Sequence, residues 1–332
     1  MHPDTADVRV FTITLNPAID QTVRIDGLVP GAVHRALGQQ TEAGGKGVGV
    51  AAVLAALGVP VSATGWLGAD NDAVFVAAFA ERGIDDAMVR VAGSTRTNIK
   101  LADTARGDST DINLPGVALD TAALASATDA LLDTLATRVR YGDWCELAGS
   151  LPPGASVAVW ERLARTLAGQ GAHIVIDTGG AVLLELLRRL SDADLGPVVP
   201  VAFVKPNRAE LEELAGRPLP ALADVADAAS MLCRDYGVRQ VVVSLGGDGA
   251  VMADAQGRWQ AAAPPVRVAT TVGAGDALVA GTLAALVAGG TFPGAAVFGM
   301  ACAAARIQRI APGLPARSEV DALAAAIDAR PI

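Results

Sequence analysis

The run Thr271-Val272-Gly273-Ala274-Gly275-Asp276-Ala277 sets a carboxylate among small residues, just where a long uncharged segment begins. A helix starting there would have first-turn N–H groups without partners inside the helix, and such groups form an anion site. Glycines let a phosphate approach that backbone closely. Asp276 would stand in the first turn, placed to accept a proton from an attacking hydroxyl. Phosphoryl transfer suits such a group, because its loose transition state needs orientation and late proton removal. A helix N-terminus is expected to depress the Asp276 pKa. Gly and Asp are also ordinary at helix starts, so a plain cap explains the same residues.

Other segments offer complementary chemistry. Lys205-Pro206-Asn207-Arg208-Ala209-Glu210 ends one predicted strand and opens a helix. Asn207 can cap that helix, and Asn207 with Glu210 can hold a hydrated Mg²⁺ through oxygen ligands. Ser244-Leu245-Gly246-Gly247-Asp248-Gly249 follows a β-rich run and reads as a tight turn or a nucleotide contact. Gly44-Gly45-Lys46-Gly47-Val48-Gly49 opens a helix but lacks the Gly-Lys-Ser/Thr ending of a P-loop. Gly44, Gly45 and Lys46 suit a close backbone approach to a sugar, with Lys46 meeting a phosphate. Residues 47–52 also spell G-x-G-x-x-A with Asp70 downstream, a dinucleotide pattern, but residues 37–41 before them are polar. In Thr95-Arg96-Thr97-Asn98-Ile99-Lys100, alternation puts Arg96, Asn98 and Lys100 on one strand face. That face suits a substrate phosphate, or is simply a solvated surface.

These residues need elements to position them. Apolar runs at 8–15, 61–66, 144–148, 173–177, 202–205 and 240–244 predict buried strands, with helical patterns between most of them. Such alternation predicts βαβ units in a doubly wound, mostly parallel α/β sheet flanked by helices. The helix-poor stretches at about 18–42 and 90–115 predict a small antiparallel lid inserted into a single domain spanning residues 1–332. Residues 277–305 carry no charge, but Gly289-Gly290 and Pro293-Gly294 divide them. A buried helix pair is therefore expected in place of a membrane span.

Bulk properties narrow the function classes. The chain has 332 residues, 52% hydrophobic and only 4% aromatic, so its core is built mainly from Ala, Val and Leu. A net charge of −9 argues against a nucleic-acid partner and requires local groups to hold any anionic substrate. Cys145, Cys233 and Cys302 are far apart in apolar segments, as expected of free thiols in a reducing cytoplasm. Asp4 and Asp7 at the start do not fit the basic region of a signal peptide.

Taken with Thr14-Leu15-Asn16-Pro17-Ala18-Ile19-Asp20 and Gly149-Ser150-Leu151-Pro152, these motifs resemble the PfkB-type branch of the ribokinase-like kinases. The similarity spans about residues 10–320 in the family's order, and is greatest to its 1-phosphofructokinases, with tagatose-6-phosphate kinases next. The resemblance implies ATP and Mg²⁺, a β-lid that supports homodimers, and phosphorylation of a small sugar phosphate. Fructose 1-phosphate converted to fructose 1,6-bisphosphate is the expected reaction. It casts Asp276 as base, with Gly273, Ala274 and Gly275 as the anion hole. Asp20, Gly44, Gly45 and Ser150 would meet sugar hydroxyls, and Lys46, Arg96, Asn98 and Lys100 would surround the substrate's phosphate. Lys205, Asn207, Ser244, Gly246 and Gly249 would line the nucleotide side.

The family usually reads Gly-Gly-Lys-Gly-x-Asn, and here Gly49 stands at the Asn position. Leu114 and Gly179 replace residues that are often acidic and Ser respectively. A missing polar partner shifts specificity, so tagatose 6-phosphate and fructose 6-phosphate stand as alternative substrates. A non-catalytic sugar-phosphate sensor is the alternative of another class.

Overall fold

Apolar β-branched runs such as Val10–Thr14 are buried on both faces, as strands covered by helices on each side must be. The computed structural model describes residues 8–310 and 313–332. Asp4 and Asp7 lie outside the described residues. In chain order the elements begin with β1 (Val10–Thr14), β2 (Ala18–Ile25), β3 (Gly38–Gly44), α1 (Lys46–Ala56), β4 (Val61–Gly68), α2 (Ala73–Arg82) and β5 (Asp85–Val91). They continue with β6 (Arg96–Asp103), β7 (Asp108–Ile112), α3 (Thr121–Arg138), β8 (Trp144–Ala148), α4 (Val157–Gly169), β9 (His173–Asp177) and α5 (Gly180–Ser191). Next come β10 (Val201–Val204), α6 (Arg208–Ala215), α7 (Leu222–Tyr236), β11 (Gln240–Ser244), β12 (Ala250–Asp254) and β13 (Arg258–Ala261). The chain closes with α8 (Ala274–Val287), α9 (Phe292–Ile307), α10 (Arg317–Ala325) and β14 (Ala329–Pro331).

Among the described residues, ten strands form the large sheet in the order β14-β13-β12-β11-β10-β9-β8-β1-β4-β5. It is parallel from β5 through β11, and antiparallel at the β11 to β14 end. The expected doubly wound α/β fold is therefore present. β1 lies between β8 and β4, and the chain winds away from it in both directions. Ligand crevices open at the carboxyl ends of strands at such a switch point.

A second sheet of order β3-β2-β6-β7 comes from the two helix-poor stretches. One expectation needs correction: β2 and β6 pair parallel, so this small sheet is mixed. The two strands are far apart in sequence, and no short turn imposes a hairpin on them. Sequence reading also missed β5, whose Asp85, Asp86 and Arg90 break the apolar signal at a sheet edge. The uncharged segment forms α8 and α9, as expected. They pack closely, since a Cβ at Gly281 would lie 2.6 Å from Cys302 Sγ and 2.8 Å from Gly299 Cα. No helix among the described residues is long and apolar enough to cross a membrane.

Candidate active site

The turns after β1 and β8 diverge at the switch point, and Asn16 links them by donating to Ser150 Oγ at 3.1 Å. A cavity of about 510 Å³ opens between the small sheet, α1 and the start of α8, lined by Asp20, Gly44, Gly49, Gly273, Asp276 and Arg306 among others. That volume suits a small-molecule ligand.

Asp276 sits in the first turn of α8, where sequence placed it, and Gly273 caps the helix at φ 77°. A side chain with a Cβ is strained in that conformation, so the glycine frees the approach to the first-turn N–H groups. The expected depression of the Asp276 pKa is overturned. Burial raises it to about 7, helped by the charge of Asp177 and opposed by Lys46 and Lys205. Desolvation and a neighbouring carboxylate outweigh the helix-end dipole. A carboxylate so tuned is a stronger base than an ordinary aspartate, and it titrates near neutral pH.

On the small-sheet side, Asp20 accepts from Asn98 Nδ2 at 3.1 Å and its carboxylate lies against Gly44. Burial raises the Asp20 pKa, with the Asn98 hydrogen bond and Arg96 working against that rise. The four groups expected around a substrate phosphate fall into two sets. Arg96 donates to the carbonyls of Asn16, Pro17 and Leu114, and Lys100 pairs with Asp111 at 2.9 Å. Lys46 instead reaches down to Asp177, with Nζ 3.1 Å from Oδ1. Burial opposes the charge on Lys46, but Asp177 prevails and its pKa is raised.

On the opposite side, Lys205 is 7% exposed at the end of β10, and its Nζ lies 3.9 Å from Asp177 Oδ1. A Cβ at Gly275 would stand 3.6 Å from that Nζ, so the cation borders the start of α8. Asn207 bridges to Ser244, and Gly246 belongs to a 3₁₀ turn closed by Gly249. Gly249 comes so close to the backbone of Ala261 and Ala262 that a side chain would not fit. Asn207 and Glu210 form a reciprocal capping box: Asn207 Oδ1 accepts from Glu210 N at 2.9 Å, and Asn207 N donates to Glu210 Oε2 at 2.8 Å. The cap explanation thus holds for both. Glu210 Oε1 stands over Gly179, where a Cβ would lie 2.8 Å away. The start of α8, where Ala274 N donates to Thr271 O only at 3.4 Å, a buried lysine and nearby oxygen donors together suit a metal-bound polyphosphate.

Sequence reading overlooked several participants. Asp177 stands at the carboxyl end of the apolar parallel strand β9, the sheet edge where ligands bind, and that placement was its available signal. Glu146 is fully buried in β8 with both carboxylate oxygens unpartnered, as are the hydroxyls of Thr12 and Thr14. Burial, then Asp177 and Asp276, drive the Glu146 pKa well upward, with Lys46 and Lys205 opposing the rise. Arg306 borders Gly273 and donates to Arg309 O at 2.7 Å. The dinucleotide reading of residues 47–52 fails, because α1 follows small-sheet strand β3 and not a central parallel strand.

Comparison with known proteins places this geometry. A 1-phosphofructokinase of Xanthomonas campestris pv. campestris is 44% identical over 280 residues, 84% of this chain and 85% of its own. That of Rhodobacter capsulatus is 39% identical over 318 residues, 96% of each chain. Phosphofructokinase-2 from Escherichia coli, crystallised in complex with potassium, superposes with a TM-score of 0.87 at 28% identity, covering 96% of this chain and 99% of that one. The pfkB family carbohydrate kinase description matches residues 7–318. That span takes in every site residue described above and all strands of both sheets but the edge strand β14, and the chain belongs to the pfkB family of carbohydrate kinases.

Proposed function

We propose that this kinase transfers the terminal phosphoryl group of ATP to O6 of fructose 1-phosphate, giving fructose 1,6-bisphosphate. The observation that carries the reading is Asp276, a carboxyl with a pKa of about 7 at a helix start, between Asp20 and Lys205. Relatives named 1-phosphofructokinase, from 44% to 35% identical, support this substrate over others.

Mg²⁺ and ATP, when bound, supply the phosphoryl group and offset its negative charge. Backbone N–H groups of Gly273, Ala274 and Gly275 would hold its oxygens, with Lys205 adding charge. Ser244, Gly246 and Gly249 would border the nucleotide, while Asn207 and Glu210 would face a hydrated Mg²⁺. Asp20, Gly44, Gly45, Asn98 and Ser150 would orient the sugar hydroxyls. Asp276 would take the O6 proton as the oxygen attacks. Arg96 and Lys100 neighbour Asp20 electrostatically and would take most of the substrate phosphate's charge. Lys46 would join them only by releasing Asp177.

The small sheet would act as a lid on one domain and as a homodimer surface, since Val29, Val33, Leu37 and Ile112 are exposed there. A monomer in light scattering at micromolar concentration would exclude that dimer. Free, largely buried thiols support a cytoplasmic location.

Coupled ADP release with fructose 1-phosphate, fructose 6-phosphate, tagatose 6-phosphate and fructose tests the substrate. The highest kcat/KM is expected with fructose 1-phosphate. A higher value with another sugar would reassign the specificity and implicate Gly49. Ligand-induced stabilisation without ADP release would favour the sensor.

A further inference from the structure

Gly299, Cys302 and Arg306 follow one another on α9 at intervals of three and four residues, so they share one stripe of the helix. That stripe faces α8. A side chain at Gly299 would collide with Leu278 O and Thr282 Oγ1, and Cys302 Sγ stands 2.6 Å from where a Cβ of Gly281 would be. The short connection at 288–291 makes the two helices antiparallel, so the end of α9 meets the start of α8. There the third member of the stripe arrives: Arg306 Nε stands 3.2 Å from where a Cβ of Gly273 would be. The close packing of the helix pair thus delivers a guanidinium to the first turn of α8.

Its surroundings give that charge a use. Arg306 is 8% exposed, and burial opposes its charge while Glu42 and Asp276 favour it and Arg309 does not. A guanidinium nevertheless keeps its proton in a protein. Nη1 donates to Arg309 O at 2.7 Å, which ties the group to the turn after α9 and leaves Nε on the α8 side. The cavity is lined by four carboxylates, of Asp20, Glu42, Glu81 and Asp276, and by two cations, Arg82 and Arg306. Of these two, Arg306 is the one that borders Gly273. A cation in so dry a place acts strongly on any negative charge brought to that helix start.

We propose that Arg306 is a further catalytic residue, whose guanidinium completes the anion hole at the start of α8 by donating to oxygens of the phosphoryl group in transfer. The inference rests on the reading of Gly273–Gly275 as that anion hole. As the sugar oxygen bonds to phosphorus, the bond from phosphorus to the departing ADP oxygen breaks and its electron pair stays on ADP. Asp276 takes the sugar's proton, and Arg306 holds the charge on the oxygens that neither enter nor leave. Its action falls on the transition state, so it governs kcat more than sugar binding.

Arg306→Gln keeps the stem and removes the charge. It is expected to lower kcat about a hundredfold while the KM for the sugar phosphate stays within about threefold. Guanidinium ion added to Arg306→Ala should restore part of the rate, where sodium at the same ionic strength does not. A second readout needs no turnover: calorimetric binding of Mg·ADP with and without tetrafluoroaluminate, an analogue of the phosphoryl group in transfer. The analogue should tighten binding to the native protein by at least about tenfold and to Arg306→Gln hardly at all, with Mg·ADP alone bound equally. Equal tightening in both would overturn the proposal, as would a loss of kcat matched by a lowered Tm and no rescue by guanidinium, which would make Arg306 a strap at the end of α9. If the native protein turned over no sugar, the proposed function would fail, and the calorimetric difference would still decide the role of Arg306.

Discussion

Every residue of β1 is buried and every residue of β7 is exposed, yet their two sheets meet at the same site. The large sheet is locked between helices, and α8 and α9 approach through Gly281 and Gly299 with no spare volume. The small sheet is held mostly by hydrogen bonds and ion pairs. Asp103 alone accepts from the backbone N–H groups of Gly27, Leu28, Ala105 and Arg106. Packing of the first kind fixes the position of a reacting group to fractions of an ångström, while polar links of the second kind open at smaller cost. The proposed base, Asp276, accordingly stands on the packed half, and Asp20 and Asn98, proposed to face the sugar, stand on the other.

Substitutions in the two halves should therefore separate catalysis, stability and binding. The largest effect is expected from Asp276→Asn, which should lower kcat by roughly a thousandfold in coupled ADP release. The same change should raise Tm at neutral pH. Because the folded pKa of about 7 exceeds the ordinary value of 3.8, the native state binds more protons between those limits and loses stability as pH rises through them. Asn removes that loss. An unchanged kcat would refute the base, and a lower Tm would refute the sign of its pKa shift.

Next in size is Gly299→Val, whose side chain would collide with Thr282 Oγ1 and Leu278 O. Overpacking there should cost about 3 kcal/mol in urea unfolding. Asp103→Ala provides the contrast on the small sheet: a several-fold rise in KM with the global urea midpoint unmoved. A midpoint shift as large as that of Gly299→Val would dissolve the distinction between the halves. Backbone donors, that of Leu28 foremost, hold the Asp103 pKa low. Its contribution is therefore present above the ordinary carboxylate pKa and lost as pH falls below it. The smallest effect is expected from Glu146→Gln. Burial and the Asp177 and Asp276 carboxylates favour the neutral form of Glu146, and Gln puts a neutral group of similar shape in its place, so kcat should change by less than about twofold. A larger change would mean that Glu146 carries charge in the native enzyme.

Much of this was legible in the residues. The buried strands, the uncharged helix pair and the Gly273–Asp276 helix start follow from local periodicity and composition, and each stands where expected. β5 did not, because a charged edge strand has no clean period, and the parallel pairing of β2 with β6 depends on partners far along the chain. Glu146 was hidden for a related reason. A single acidic residue in an apolar strand says nothing about which face it occupies or what lies across from it.

The sequence by itself determined that a carboxylate opens a glycine-framed helix in a doubly wound α/β chain, since helix-start chemistry and βαβ patterning are properties of adjacent residues. Only the tertiary structure decided that the pKa of this carboxylate is raised to about 7, that Lys46 pairs with Asp177, and that the Asp276 side chain sits against Gly49. Desolvation, charge and contact act through distances in space, and those exist only once α1, β9 and α8 have been brought together.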